Sequence, residues 1–447
     1  MLVRFWGTRG SIATPGPSTN RYGGNTSCVE IVTSAGKRLI CDCGTGARAL
    51  GMQLMQAGPK PIEAAILLSH THWDHIQGFP FFAPLFVPGN RFTVYGPKGA
   101  NSTLPEVLAG QMEFTYFPVE LEQLGARIEY QDLTEGVHDL GGVRVTAQFL
   151  NHPAAALGYR IEADGVSVLY LCDHEPYWES LWRSDAAPGR LESILHDGDR
   201  RHAAFMENAD VVIHDCQYTP EEYPAKKNWG HSTWSYVTQI AAAAKVKRLF
   251  LTHHDPTHND DTLDGIEQSA RQLALSLGSP MQISGAREGF EETFERSPGL
   301  HLKVNEVASS DSGDGNSLLV LVIDDDEDLR ILARKALTRA GHRVLEASGG
   351  EEGLATMRRR GLQGTMPDLI VLDLFMPAPD GFEVLKRLRE GAETRAIPVL
   401  VLTGHGDEES ARRSFDLGAT DFLGKPFTPP QLDARVRSCF ARAGQPQ

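Results

Sequence analysis

Apolar runs that stop abruptly on a histidine or an acid recur through the first two thirds of this chain. Ala64-Ala65-Ile66-Leu67-Leu68 leads into His70, Val143-Arg144-Val145-Thr146-Ala147-Gln148-Phe149-Leu150 into His152, Val168-Leu169-Tyr170-Leu171-Cys172 into Asp173, and Arg248-Leu249-Phe250-Leu251-Thr252 into His253. Each run has the length and composition of a buried strand, and such a strand delivers the residue after it at its C-terminal edge. From Ser317 onward the pattern changes to a regular alternation. Apolar runs at Leu318–Ile323, Leu369–Leu372, Val399–Leu402 and Phe422–Gly424 are separated by helical patterns at Leu329–Ala340, Glu351–Arg359 and Gly381–Arg389. Strand and helix in alternation predict a parallel sheet. The polar residues that follow its runs, Asp324, Asp325, Asp373, Thr403 and Lys425, should therefore converge beyond the strands' carboxyl ends. Between the two patterns, Ser309-Ser310-Asp311-Ser312-Gly313-Asp314-Gly315-Asn316-Ser317 is small, polar and aperiodic, which predicts a flexible linker. His301-Leu302-Lys303-Val304 stands either as an edge strand of the first core or as part of that linker.

The densest chemistry is His70-Thr71-His72-Trp73-Asp74-His75, three imidazoles and one carboxylate in six residues. Crowding those lone pairs together without a cation is unfavourable, so the cluster predicts a metal site. A helix beginning near Asp74 would place the carboxylate at a positive helix end and turn His75 toward a second metal position. His152, Asp173 and His253 offer further donors, although each alone is equally an ordinary loop residue or helix cap. His253 is preferred over His254 and His258 because it follows its strand immediately; His254 and Asp255 are left as supports behind the ligands, substrate-facing groups or plain loop residues. Cys172 is expected to point away from Asp173, since neighbours on a strand face opposite sides, and to be a buried thiol.

In type and order these residues resemble the metallo-β-lactamase superfamily over roughly Met1 to Arg296. The resemblance implies an αββα sandwich with metals at one edge of the paired sheets. It implies His70, His72 and His152 on one ion and Asp74, His75 and His253 on the other, with Asp173 bridging. Position 72 lacks the Glu of flavodiiron-type oxygen reductases, and position 173 lacks the Cys common in zinc β-lactamases. Phe5-Trp6-Gly7-Thr8-Arg9-Gly10-Ser11, Asn25-Thr26-Ser27, Cys41-Asp42-Cys43-Gly44-Thr45-Gly46 and Gly230-His231-Ser232-Thr233 look like the phosphodiesterase branch, similar to tRNase Z and cyclic-nucleotide phosphodiesterases. That likeness implies that His231 holds or protonates the phosphate and that Asp42 lies behind the metals. On the residues alone, His231 could instead cap a helix starting near Ser232, and Asp42 could cap a loop. The stretch from His152 to Asp173 is too short for the tRNA-binding arm of tRNase Z, and no Arg-Tyr follows the last histidines. A small phosphodiester, with a cyclic nucleotide first, fits better than transfer RNA. Two cations would hold a hydroxide and polarise the phosphoryl group, with Asp74 and His231 as catalytic candidates and His231 the general acid. Two Zn²⁺ are expected, with Mn²⁺ or Fe as alternatives. Lys226 and Lys227 are either an attractor for an anionic substrate or a solvated loop pair.

Asp324, Asp325, Asp373, Thr403 and Lys425, together with Met376-Pro377 and Lys425-Pro426-Phe427, resemble the receiver domain of bacterial two-component response regulators, a flavodoxin-like (βα)5 fold. The resemblance implies phosphorylation of Asp373 by a sensor histidine kinase and Mg²⁺ on Asp324, Asp325 and Asp373. It also implies that Lys425 pairs with the phosphoryl group, and that Thr403 and Phe422 form the switch. The acids would repel phosphate unless a hard cation neutralised them. The alternative is a silent scaffold that keeps only the fold. Receivers commonly precede their outputs, so the sense of control is not carried over; a homodimer is implied by family behaviour alone.

Composition agrees with an α/β protein of two domains. The chain has 447 residues, more than one ordinary core, with 41% hydrophobic and 23% charged positions. The expected division is a hydrolase domain over 1–296, a linker over 297–316 and a receiver over 317–443. A net charge of −15 disfavours a general nucleic-acid surface. Six cysteines without a pairing pattern suggest reduced thiols in a cytoplasmic protein. The opening Met1-Leu2-Val3-Arg4-Phe5 has no signal core, and no apolar run approaches the ~20 residues that would span a membrane. Two competing functions remain: hydrolysis of another ester such as a lactone or thioester, and a non-enzymatic signalling adaptor.

Overall fold

The computed structural model describes residues 1–295 except 57, 59, 99–101, 179 and 184–187, and residues 318–440 except 363, 364, 405–412, 426–431, 434 and 438. The chain divides into two compact units, Met1–Leu300 and His301–Gln447. The linker expected over 297–316 and the edge strand considered at His301–Val304 lie outside the described residues.

The first unit begins with β1 (Leu2–Gly7), β2 (Cys28–Val32), β3 (Arg38–Cys41), α1 (Gly46–Gln56), β4 (Glu63–Leu67), the single turn α2 (Trp73–Ile76), β5 (Arg91–Pro97), α3 (Leu104–Gln111) and β6 (Arg127–Leu133). It continues with β7 (Gly136–Asp139), β8 (Arg144–Phe149), β9 (Leu157–Ala163), β10 (Val166–Leu171), α4 (Asp197–Met206), β11 (Val211–Asp215), α5 (Trp234–Ala243), β12 (Arg248–Thr252), α6 (Asp260–Ser276), β13 (Gln282–Gly285) and β14 (Glu291–Thr293). Among the described residues, one seven-stranded sheet has the order β14-β1-β2-β3-β4-β5-β6 and the other β13-β12-β11-β10-β9-β8-β7.

Period-two alternation explains why the sheets stack. On β10, Val168 and Tyr170 join Phe5, Ile31, Leu39, Tyr159, Ile213 and Phe250 in the core between the sheets. Leu169 and Leu171 face the other way, onto Val237, Ile240 and Ile266 of α5 and α6. Ile40, Ile66 and Val94 of the first sheet pack on Leu50 of α1 and on Phe79 and Phe82. The layers therefore run helix, sheet, sheet, helix, the expected αββα sandwich. β3 runs parallel to β4, and β10 through β13 are mutually parallel, so each of these groups gathers its carboxyl ends on one edge.

The second unit contains β15 (Leu319–Ile323), α7 (Glu327–Arg339), β16 (Arg343–Ala347), α8 (Gly350–Leu362), β17 (Leu369–Asp373), α9 (Gly381–Glu390), β18 (Val399–Gly404) and β19 (Asp421–Lys425). Among the described residues, its five strands are parallel in the order β16-β15-β17-β18-β19. Alternate residues again face two cores, Leu321, Ile370 and Val401 toward Leu354 and Leu385, and Val320, Val371 and Leu402 toward Ala333 and Leu337. This is the flavodoxin-like order, whose ligands bind beyond the strands' carboxyl ends.

Candidate metal centre and phosphoacceptor site

β4 ends at Leu67, and the chain runs straight on through Ser69 to His70 before α2 turns it back. Within this edge, donor atoms of His70, His72, His152 and Asp173 all lie within 4.8 Å of one another, as do those of His75, Cys172, Asp173 and His253. Asp173 serves both groups with different oxygens. Its Oδ2 lies 3.5 Å from His70 Nε2 and 3.7 Å from His152 Nε2. Its Oδ1 lies 3.3 Å from His75 Nε2 and 3.1 Å from His253 Nε2. Asp74 Oδ2 closes the second group, 3.2 Å from His75 Nε2 and 3.0 Å from His253 Nε2.

Hydrogen bonds on the far side of each ring fix which nitrogen looks inward. His75 Nδ1 donates to Asp42 Oδ2 at 2.7 Å, His152 Nδ1 to the Gly230 carbonyl at 3.0 Å, and His253 Nδ1 to Gln217 Oε1 at 2.9 Å. Each Nε2 is thereby left with its lone pair toward the cluster. Among the described residues, His70 Nε2, His75 Nε2 and Asp173 Oδ1 are buried and have no hydrogen-bond partner. Orphaned buried polar atoms are rare in folded proteins, and three converging on one edge fit a bound cation. Burial pushes the His70 imidazole well down, and His152 to about 3, so both are neutral donors.

Backbone strain collects at the same place. Ser11, Asp42, Asp173 and His253 have φ of 62°, 57°, 64° and 60°. Left-handed non-glycine residues cost roughly 1–3 kcal/mol each and persist only where their surroundings over-determine them. Asp42 shows how: its fully buried carboxylate accepts from the Ser69 amide at 2.6 Å, Ser69 Oγ at 2.8 Å, Tyr170 Oη at 2.7 Å and His75 Nδ1.

His231 stands at the edge of both groups, with Nδ1 3.2 Å from Asp215 Oδ2 and 3.9 Å from Asp173 Oδ2. Burial alone would lower its pKa, but the Asp215 and Asp173 carboxylates outweigh burial and raise it to about 9. Capping of α5 falls to Thr233, whose Oγ1 accepts from the Tyr236 amide at 3.3 Å, so His231 is free of that role. Asp215 was not among the sequence candidates. Its signal was present, since Val211-Val212-Ile213 is another apolar strand run, closed by His214 and Asp215. Its Oδ2 also accepts from the amides of His174 and Ser232, each at 3.1 Å.

The ambiguous residues separate clearly. His254 Nε2 donates to the Ala286 carbonyl at 3.0 Å, and His258 Nε2 lies 2.9 Å from Glu222 Oε1, so both are engaged away from the cluster. Asp255 caps a turn by accepting from the Thr257 amide at 2.8 Å. For Cys172 the strand-alternation reasoning fails: β10 ends at Leu171, Asp173 is left-handed, and both side chains reach the second group. Burial raises the Cys172 thiol well above its ordinary pKa and keeps it protonated. Lys226 Nζ lies 4.4 Å from the ring centre of the exposed Trp229.

In the second unit, donor atoms of Asp324, Asp325 and Asp373 lie within 4.8 Å of one another. Lys425 Nζ bridges two of them, 2.8 Å from Asp324 Oδ2 and 3.1 Å from Asp373 Oδ1. Burial and the neighbouring Asp324 raise the Asp373 pKa against the pull of Lys425. Thr403 pairs with Gly424 across β18 and β19, and its side chain lies outside the described residues, as do Pro426 and Phe427. Phe422 is half-buried with its ring 5.9 Å from that of Phe415.

Comparison with known proteins agrees with both folds. A family model described as a beta-lactamase superfamily domain matches residues 37–254, and one described as a response regulator receiver domain matches residues 320–437. The receiver part is 40% identical over 123 residues to the transcriptional regulatory protein AfsQ1 of Streptomyces coelicolor, covering 28% of this chain and 51% of that one. It is 38% identical over 130 residues to the transcriptional regulatory protein ResD of Bacillus subtilis, covering 29% and 51%. The chain thus spans about half the length of the curated relatives it matches. Among solved structures, the metallo-beta-lactamase fold protein YhfI from Bacillus subtilis is 19% identical and covers 65% of this chain and 98% of its own, with a TM-score of 0.44. Among the described residues, no helix is long and apolar enough to cross a membrane.

Proposed function

Because the chain joins a beta-lactamase-superfamily domain to a response regulator receiver domain, we propose that it is a response regulator whose output is a binuclear metal-dependent phosphodiesterase. The observation that carries this reading is Asp173, which offers one oxygen to each of two donor groups while His231 stands 3.9 Å away. His70, His72, His152 and Asp173 would hold one divalent cation, and Asp74, His75, Asp173 and His253 the other. Zinc suits this imidazole and carboxylate set, and manganese or iron are the alternatives. When bound, such a pair supplies a water acidified toward neutral pH and Lewis acidity for a phosphoryl group.

The chain's own residues do the rest. His231 keeps Nδ1 on Asp215 and presents Nε2, from which a proton passes to the departing alkoxide. Asp215 stabilises the charged imidazole before transfer and orients the neutral ring afterwards. A small phosphodiester, a cyclic nucleotide first, is the proposed substrate. In the receiver, Asp373 takes a phosphoryl group from a sensor histidine kinase with Mg²⁺ on Asp324, Asp325 and Asp373. The new charge competes with the Lys425 ion pairs, and Thr403 and Phe422 relay the change.

The test is turnover of a phosphodiester and cyclic-nucleotide panel, against lactones and thioesters, by protein of measured metal content. Asp74→Ala is expected to lose turnover while keeping its fold by circular dichroism; unchanged turnover would remove Asp74 from the mechanism. Turnover confined to lactones or thioesters would replace the phosphodiesterase reading, and intact metal with no turnover on any ester would favour an adaptor.

A further inference from the structure

Gln217 follows β11 by two residues and is 3% exposed, with its side chain directly behind His253. A closed ring of contacts runs through it. His253 Nδ1 donates to Gln217 Oε1 at 2.9 Å, and Gln217 Nε2 donates to Ser11 Oγ at 3.2 Å. The Ser11 amide donates to Asp74 Oδ2 at 2.7 Å, and that oxygen lies 3.0 Å from His253 Nε2. Oxygen and nitrogen of the Gln217 amide are thus both engaged, by His253 and Ser11, so its orientation is set. With the oxygen locked on Nδ1, the His253 ring carries its proton there and turns a bare Nε2 inward.

The N-terminal loop is strapped in place to complete this ring. His254 donates its amide to the Thr8 carbonyl at 2.9 Å, and Gly10 donates to the His254 carbonyl at 3.0 Å. The buried Arg9 guanidinium ties the same loop to the carbonyls of Gly23, Asp255 and His258. A Cβ on Gly10 would meet His253 Nδ1 at 2.4 Å, so only glycine allows the approach that brings the Ser11 amide to Asp74. The Thr8-Arg9-Gly10-Ser11 motif thus finds a use in the structure that the proposed chemistry left unassigned.

We propose that Gln217 and Ser11 are positioning residues that set the affinity of the second cation position, by clasping His253 and Asp74 together. The inference rests on the binuclear reading, and it predicts unequal effects: among the described residues the clasp's hydrogen bonds run to His253 and Asp74, and none runs to His70, His72 or His152. Loss of such an outer hydrogen bond typically weakens metal binding by about tenfold to a hundredfold.

The test is a Zn²⁺ titration of the full chain by calorimetry and metal analysis, in excess Mg²⁺ so that the receiver carboxylates are occupied. Parent protein is expected to take two zinc ions in the first unit. Gln217→Met, similar in shape but without the acceptor, is expected to keep the tighter ion and bind the other about tenfold to a hundredfold more weakly. Gln217→Glu keeps an oxygen on Nδ1 and is expected to restore much of that loss; Ser11→Ala tests the ring from its other side with less risk to folding. Two ions bound by Gln217→Met and Ser11→Ala with parent affinities would overturn the clasp and leave the binuclear reading standing. A folded parent that binds one zinc ion or none would sink both.

Discussion

Replacing Asp42 by Asn tests how much of the metal centre is built by groups that touch no metal. The left-handed backbone is not the issue, since Asn tolerates φ near 57°. Asp42 Oδ2 serves three donors, Ser69 Oγ, His75 Nδ1 and Tyr170 Oη, whereas Oδ1 serves only the Ser69 amide. The retained oxygen should therefore stay at the three-donor side, which turns the new NH₂ group against the Ser69 N–H. The Ser69 N–H and the new N–H facing it are both left unpaired, at about 1–3 kcal/mol each, and the three kept bonds lose their charge assistance, so a total of ~3 kcal/mol or more follows. For a domain of this size that corresponds to a fall of roughly 5–10 °C in the unfolding midpoint. His75 keeps a weaker anchor, so one cation should bind about tenfold less tightly. Thermal unfolding of metal-free protein and a zinc titration measure the two effects separately. A midpoint within 2 °C of the parent (~2 °C being about 1 kcal/mol or less), with both ions held as tightly, would refute the role given to this network.

Three further outcomes are expected. Asp215→Asn removes the carboxylate nearest His231, so kcat should fall by about a hundredfold or more with metal content intact, and the alkaline limb of the pH profile should move to lower pH; an unmoved limb counts against His231 as the acid. The fully buried Asp199 carboxyl is pushed up to about 7, chiefly by burial, so the folded state holds a proton that the unfolded chain releases near pH ~4. Stability should then fall as pH rises from about 4 toward 7, and Asp199→Asn, which keeps the oxygen for Tyr236 Oη at 2.7 Å, should gain on the parent across that window and stay level above it; a gap constant with pH would contradict this. In Asp373→Asn a small-molecule phosphodonor should cease to change turnover, and a persisting response would locate the phosphoacceptor elsewhere.

Much of the metal edge was legible because its donors sit where apolar strand runs stop. His70, Asp173 and His253 each follow such a run, and strand ends are readable from period and composition alone. Cys172 shows the limit, since alternation holds only while the backbone stays extended, and a left-handed Asp173 breaks it. Asp215 carried the same signal as Asp173, and what set Asp173 apart was its place in the family's order of ligands. Gln217 carried none: a glutamine two residues past a strand is ordinary until His253 is brought against it.

By itself, then, the chain's pattern of apolar runs and terminating polar residues determined the two folds, the donor types and the acidic pocket of the receiver, because these depend on local periodicity and on which residues sit at strand ends. Tertiary structure alone decided which nitrogen of each imidazole faces inward and which acid partners His231. Those choices are made by hydrogen bonds such as His75 to Asp42, His152 to Gly230 and His253 to Gln217, spanning 33, 78 and 36 positions. Their partners meet only through the register of strands packed in two sheets, and residue order along the chain carries no record of that register.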